Sequence, residues 1–301
     1  MKLVTFKNKK GQSRIGWLQT DGVVDMKLAN AKLPTTMLAF IDNHEKYFKI
    51  IQETGSVAAH YALDAVQLLA PLPNPRSFRD YIGFERHMLN ASAAFGHAIA
   101  KEWYEMPIFY FTNHQAIFGP DQDVPRPATE TRMDLELEIA VIMGKKGKNI
   151  KAEEAEDYIF GYTIFNDFTA RAIQSREMKV PLGPHKGKDF ANAIGPCIVT
   201  KDEMNQYLGE NGRFNVKMTA KINETVICEG NYNTVNWTFR QQIQRAAEND
   251  VNIMPGDILG SGTVGWGSLI ENNFKVHRPL EPNDVVELSI EGIGVLRNKI
   301  V

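Results

Sequence analysis

The stretch Asp134-Leu-Glu-Leu-Glu-Ile-Ala-Val-Ile-Met-Gly144 places two carboxylates, Glu136 and Glu138, at the mouth of an otherwise apolar run. Side chains of an extended chain alternate between faces. Glu136 and Glu138 therefore share one face, about 6.6–7 Å apart, while Leu135, Leu137 and Ile139 share the other. The continuation Ala-Val-Ile-Met is apolar on both faces, as expected of a strand that enters a covered sheet. Two carboxylates at the rim of a buried strand repel each other unless a cation or a basic group lies between them. A second strand-like run, Tyr158-Ile-Phe-Gly-Tyr-Thr-Ile-Phe165, ends in Asn166-Asp167 and supplies a third acid. Three carboxylates with no cysteine or histidine beside them suit a hard divalent ion, magnesium, manganese or calcium, rather than zinc. In isolation, Glu-x-Glu reads first as the solvated face of an antiparallel sheet. Asp167 alone reads as a strand end or helix N-cap ahead of Phe168-Thr-Ala-Arg-Ala-Ile-Gln174. The segments around them decide.

A chain of 301 residues accommodates one large domain, or a large one with a small companion. Hydrophobic residues at 43% and charged residues at 23% are those of an ordinary globular protein. A net charge of −2 provides no basic footprint for nucleic acid or an anionic membrane. The short Lys145-Lys146-Gly-Lys148 cluster reads as a solvated turn. Cys197 and Cys228 cannot build a disulfide framework and read as reduced core residues of a cytoplasmic protein. Neither a signal segment nor an apolar run near about 18 residues is present, which points away from secretion and membrane spanning.

Residues 1–70 alternate short strands, Leu3–Phe6 and Arg14–Leu18, with an amphipathic helical stretch from Met37 to Ile51. The stiff segment Ala70-Pro-Leu-Pro-Asn-Pro75 marks a boundary. It predicts a small N-terminal α+β domain over 1–70 and a larger domain over 76–301. Strands are predicted at Met106–Phe111, Leu135–Met143, Ile159–Asn166, Phe214–Ile222, Thr225–Glu229, Asp257–Ser261 and Val285–Ile290. Helices are predicted at Phe84–Lys101, Ala152–Tyr158, Ala170–Met178 and Thr238–Glu248. The expected class is mixed α+β, mostly antiparallel β with peripheral helices, rather than a doubly wound sheet. Gly260-Ser-Gly-Thr-Val-Gly265 matches the dinucleotide fingerprint as a string. Trp266-Gly267-Ser268 follows in place of a helix, so a nicotinamide dehydrogenase is set aside.

Three further stretches are dense in functional groups. Asp80-Tyr-Ile-Gly-Phe-Glu-Arg-His87 holds an acid and a histidine seven residues apart. Asn166-Asp-Phe-Thr-Ala-Arg171-Ala-Ile-Gln174 combines the third acid with a guanidinium and an amide. Pro181-Leu-Gly-Pro-His-Lys186-Gly-Lys188-Asp-Phe190 is a lysine-bearing loop, and Gly195-Pro196 after it reads as a tight turn.

In this order the segments resemble the fumarylacetoacetate hydrolase family. Ser261-Gly-Thr263, Gly267-Ser-Leu-Ile-Glu271, Asp284-Val-Val-Glu-Leu288 and Gly292-Ile-Gly-Val-Leu-Arg-Asn298 extend the match over roughly 76–301. The resemblance implies a β-roll or sandwich with peripheral helices, a homodimer, and magnesium, manganese or calcium bound through carboxylates. It puts Glu136, Glu138 and Asp167 at the metal ligands, with Asp80 as an additional ligand seven positions before the histidine. His87 falls on the catalytic histidine and Glu271 on the carboxylate that orients it. Tyr110, Arg171, Gln174, Lys188 and Thr263 fall on substrate-contacting or oxyanion-stabilising positions. Counting back from Gly195-Pro196, as in smaller relatives, would select Lys186 in place of Lys188. Asn90 stands where those relatives have a glutamate, and Ala172 where an acid commonly follows the arginine. The turn Glu281-Pro-Asn-Asp284 also lacks the glycine that many relatives carry before the aspartate.

The implied activity is metal-dependent hydrolysis of a carbon–carbon bond in a 1,3-dioxo or 2-oxo acid, acylpyruvate- or fumarylacetoacetate-like, through a metal-bound enolate. A lyase of the same family (decarboxylase, hydratase, isomerase or sugar-acid dehydratase) is the alternative on the same site. Asn90 keeps a catalytically silent, ligand-binding relative in view. The loops Ala91–Glu105 and Met178–His185 are expected to shape the pocket.

Overall fold

The computed structural model describes residues 1–96, 98–180 and 182–301; Pro181 of the Pro-Leu-Gly-Pro string and His97 lie outside the described residues. The chain opens as a meander of β1 (Lys2–Lys7), β2 (Ser13–Gln19) and β3 (Gly22–Asp25). Asp25 ends it by accepting from the Lys27 and Leu28 amides, capping the single turn α1 (Met26–Ala29). Two helices follow, α2 (Met37–Asp42) and α3 (His44–Thr54), and then β4 (Gln67–Leu69), which returns to pair with β1. Next come β5 (Phe78–Tyr81), α4 (Glu85–Phe95) and β6 (Phe109–Phe111). Three two-residue strands, β7 (Ile117–Phe118), β8 (Asp123–Val124) and β9 (Met133–Asp134), lead to the long pair β10 (Leu137–Met143) and β11 (Ile159–Asp167). After β12 (Thr169–Ala170), α5 (Arg171–Glu177), β13 (Asn192–Thr200) and α6 (Lys201–Met204) comes the hairpin β14 (Lys217–Ile222) and β15 (Thr225–Asn231). The chain ends with α7 (Phe239–Ala247), β16 (Ile258–Gly260), β17 (Val285–Ile290) and β18 (Gly294–Ile300).

An 11-stranded sheet runs β3-β2-β1-β13-β11-β10-β16-β5-β6, with β4 on β1 and β7 on β13. A five-stranded sheet runs β15-β14-β17-β18-β8. Pairing is antiparallel except for β5–β16, β7–β13 and β8–β18. The mixed, mostly β class follows.

The period-2 pattern of β10 sorts its residues between two cores. Leu137, Ile139, Val141 and Met143 pack with Met218, Ala220, Val286 and Leu288 of the smaller sheet. Ala140 and Ile142 pack with Leu3, Phe40, Ile41 and Ile198. Both faces of the large sheet are therefore covered, which is why this strand carries no polar residue after Glu138. The N-terminal meander joins the same sheet through Lys2↔Val199 and Leu3↔Ile198.

Two sequence readings need correction. The helix expected to reach Lys101 stops at Phe95, because Gly96 takes a left-handed conformation (φ +74°) that ends it. Gly195-Pro196 is no tight turn but lies inside β13. Pro196 has no amide to donate, and it sits beside the irregularity where the β11 register shifts between Tyr162 and Ile164. Among the described residues no helix is long and apolar enough to cross a membrane.

Asp284 locks the entry to β17. It accepts from Arg278 Nη1 (2.6 Å) and Nη2 (3.0 Å), Asn223 Nδ2 (2.8 Å) and the Glu281 amide (2.8 Å). Burial pushes this carboxyl up, but the Arg278 guanidinium and the other donors outweigh it and hold the pKa at about 2. An unfolded aspartate titrates near about 3.9. A depressed folded value gives stability that is present above the unfolded pKa and lost as pH falls through the folded one. Asp284→Asn is expected to be roughly 1–2 kcal/mol less stable than wild type at neutral pH. In denaturation against pH, that gap should close between about pH 4 and about pH 2.

Candidate active site

Strand pairing brings four acids together. β5 lies parallel to β16, setting Asp80 beside Gly260, and Gly260 in turn pairs with Ala140, two residues beyond Glu138. On the other side of β10, Leu137 faces Asn166, so Asp167 ends β11 next to the same rim. Glu136 precedes β10, held by its amide donating to Asn166 Oδ1 at 3.0 Å. A Cβ on Gly260 would fall 2.4 Å from Asp80 Oδ1 and 3.0 Å from Glu138 Oε2, so glycine makes room for the acids. One carboxylate oxygen from each of Asp80, Glu136, Glu138 and Asp167 lies within 4.8 Å of the others, and all four residues are buried.

Two cations lie against this cage. Lys188 Nζ donates to Glu136 Oε2 at 2.5 Å and also to Asp167 Oδ2. Arg171 donates through Nη2 to Glu136 Oε1 (2.7 Å), through Nε to Asp134 Oδ2 (2.9 Å) and through Nη1 to Gln174 Oε1 (3.2 Å). Burial pushes the Glu136 carboxyl up, but Lys188 and Arg171 overcome it and hold the group far below the usual carboxylate range. Asp80 and Glu138 have no such partner. Burial, with Asp167 against Asp80 and Asp80 against Glu138, drives both well above the usual range. Burial would favour a neutral amine at Lys188, yet Asp167 and Glu136 raise its pKa above the ordinary value.

The cage fits a divalent cation. With all four acids ionised, Lys188 and Arg171 would leave at least two negative charges uncompensated, a deficit that a divalent cation would fill. Asp80 Oδ1 and Asp167 Oδ1 are buried with no hydrogen-bond partner among the described residues. An unpaired buried oxygen costs about 1–3 kcal/mol, more when charged. The donors are oxygens alone, the set that suits magnesium, manganese or calcium.

The histidine stands at the edge of the cage. His87, in the first turns of α4, has Nδ1 2.9 Å from Glu271 Oε1 and Nε2 4.0 Å from Glu136 Oε1. Glu271 is fixed by the Trp266 amide (2.6 Å), the Ser268 amide (3.2 Å), Ser268 Oγ (3.1 Å) and Asn90 Nδ2 (2.9 Å). Asn90, one turn after His87, therefore steadies the histidine's partner. With Nδ1–H donating to that carboxylate, Nε2 is left as a bare acceptor toward the acids.

The remaining expected residues gather here too. Tyr110 OH donates to Asp167 Oδ2 at 2.6 Å, and burial together with Asp167 keeps the phenol protonated. Thr263 Oγ1 donates to Glu138 Oε1 (3.3 Å) and the Gly262 amide to Glu138 Oε2 (2.8 Å). The glycine string thus serves a carboxylate rather than a nucleotide. Gln174 uses its oxygen on Arg171, and among the described residues its NH2 meets no acceptor. Lys188 is the lysine of the site: the Lys186 side chain is 74% exposed and pairs with Asp189.

Two buried acids were given no role from the sequence. Glu130 accepts from the Ala172 and Ile173 amides, capping α5 beside the residue where an acid was expected. Asp134 holds the Leu269 and Ile270 amides at 2.8 and 3.0 Å. The signal for Asp134 was present, since residues 134, 136 and 138 alternate at the same period of two.

Residues 76–301 match the family model described as fumarylacetoacetate (FAA) hydrolase C-terminal. A mitochondrial oxaloacetate tautomerase of Xenopus laevis is 28% identical over 307 aligned positions, covering 100% of this chain and 90% of the relative. A fumarylacetoacetase of Arabidopsis thaliana is 28% identical over 279 positions, covering 77% of this chain. The chain spans 66% of the length of that fumarylacetoacetase and 60% of the one from Caenorhabditis elegans. The crystal structure of a maleylpyruvate hydrolase from Sphingobium sp. SYK-6 superposes with a TM-score of 0.76 at 22% identity, over 100% of this chain and 99% of that one. The same enzyme has been solved in complex with manganese(II) ion and pyruvate. At such identity the likeness establishes the fold.

Lys188→Met leaves Glu136 and Asp167 without their shared ammonium. In buffer containing a chelator, thermal unfolding should show the variant destabilised by about 3–5 kcal/mol.

Proposed function

The chain belongs to the fumarylacetoacetate hydrolase family, and from that premise we propose a metal-dependent enzyme that hydrolyses a carbon–carbon bond of a 1,3-dioxo or 2-oxo acid. The observation that carries this reading is His87, held at Nδ1 by Glu271 and facing the carboxylate cage through Nε2. Asp80, Glu136, Glu138 and Asp167 would hold the ion. When bound, a divalent cation supplies Lewis-acid polarisation of a substrate carbonyl.

The protein's own groups do the rest. Nε2 of His87 takes a proton from a water, which attacks the distal carbonyl carbon and forms a new carbon–oxygen bond. Lys188, kept protonated, and the NH2 of Gln174 donate to the oxyanion that develops. The carbon–carbon bond then breaks, its electron pair leaves as an enolate, and the imidazolium returns the proton to that carbon. The products are a carboxylic acid and a shorter oxo acid. Glu271 stabilises the imidazolium between these steps, and its four further donors keep the ring in one orientation. Arg171 has each of its nitrogens committed to a protein acceptor and braces Glu136.

One observation favours a second reading. The match to an oxaloacetate tautomerase spans the whole chain, whereas the match to the Arabidopsis fumarylacetoacetase spans 77% of it. A tautomerase would use the same His87 to move a proton between carbon and oxygen without breaking the skeleton. Incubation of acylpyruvates and oxaloacetate in 18O water discriminates: hydrolysis places label in a new carboxylate, and tautomerisation releases no fragment.

His87→Ala is expected to lower kcat by about 10²–10⁴-fold while calorimetric Mn2+ binding stays at the wild-type level. Full turnover by this variant would rule the base out. Gly260→Ala should weaken Mn2+ binding by about tenfold or more, because its methyl falls 2.4 Å from Asp80 Oδ1.

A further inference from the structure

Asp134 is fully buried yet stands outside the carboxylate cage. Its Oδ1 accepts from the Leu135 and Leu269 amides, both at 2.8 Å. Its Oδ2 accepts from the Ile270 amide at 3.0 Å and from Arg171 Nε at 2.9 Å. These donors belong to the two halves of the site. Leu269 and Ile270 directly precede Glu271, so Asp134 anchors the turn Ile270–Asn272 from which that carboxylate reaches His87 Nδ1. Arg171 carries the contact the other way, since its Nη2 donates to Glu136 Oε1, the oxygen that faces His87 Nε2.

The contacts close into a ring: His87, Glu271, the Ile270 backbone, Asp134, Arg171, Glu136 and back to His87. One carboxylate therefore ties what holds the proximal side of the imidazole to what lies across from its distal side. We propose that Asp134 is a positioning residue that fixes His87 relative to the acidic cage without touching substrate. This rests on reading His87 as the base. A carboxylate suits the position because all its neighbours donate. Asparagine in its place would turn an NH2 toward either Arg171 Nε–H or the backbone amides, donor against donor, and displace one half of the site. A shift of about 1 Å between base and reacting atoms costs on the order of 100-fold in rate.

The test is a double-mutant cycle with a probe that needs no turnover. Asp134→Asn is expected to lower kcat by about 10–100-fold and leave KM within about threefold. In an Glu271→Gln background, where the link to His87 is already cut, adding Asp134→Asn should cost no more than about threefold. Penalties that multiply in full would overturn the proposal, because they place the effect elsewhere. With 15N-histidine labelling, the Nδ1–H resonance that Glu271→Gln removes should shift or broaden in Asp134→Asn; an unchanged resonance also overturns it. Should wild type turn over no oxo acid, the functional reading fails while the resonance still decides the role of Asp134. Asp134→Ser, which leaves room for a bridging water, is the second variant if the asparagine form does not fold. If neither folds, Asp134 is a determinant of the fold and the positioning role is refuted.

Discussion

The repulsion among four buried carboxylates is the constraint from which the rest of the site follows. Asp80, Glu136, Glu138 and Asp167 lie together at the rim of a sheet covered on both faces, where water cannot screen them. Water-poor surroundings strengthen every charge interaction and penalise every uncompensated ion. Lys188 and Arg171 relieve part of the repulsion and do so unevenly, pulling Glu136 far down while burial still raises Asp80, Glu138 and Asp167. The unevenness has a structural source. Both cations bond Glu136, only Lys188 reaches Asp167, and Asp80 and Glu138 face each other beside Gly260 with neither.

The fold makes this concentration of charge tolerable by spending very regular structure around it. β5, β16, β10 and β11 place their ends side by side, and each delivers a group or the space for one. Asp80, Gly260, Glu138 and Asp167 come from four different strands, so no local segment could form the cage alone. The half of the site around His87 is organised otherwise. His87 rides on a helix, and its partner Glu271 sits in a short turn held by backbone and side-chain donors from Trp266, Ser268 and Asn90. The strands fix the carboxylates, and the turn fixes the imidazole.

Much of this was legible in the sequence. The alternation of residues 135–143 gave the faces of β10 correctly, because a strand buried on both sides has a pattern independent of its partners. The resemblance over 76–301 named the acids, His87, Glu271 and the site lysine, and the structure gathers them. Less was readable where tertiary context decides. β13 was hidden by Gly195-Pro196, which reads as punctuation but falls beside a register shift. Asn90 and Ala172 looked like losses. The Asn90 amide reaches Glu271, and Glu130, far off in sequence, caps α5 beside Ala172. Neither compensation involves neighbours in the chain, so no local pattern could reveal it.

The most direct test of the central claim is an anomalous difference map from crystals grown with Mn2+. The account predicts one strong peak per chain, bonded to oxygens of Asp80, Glu136, Glu138 and Asp167, with His87 Nε2 facing it. A map without a peak among these acids at saturating Mn2+, with Lys188 alone bridging Glu136 and Asp167, would contradict it.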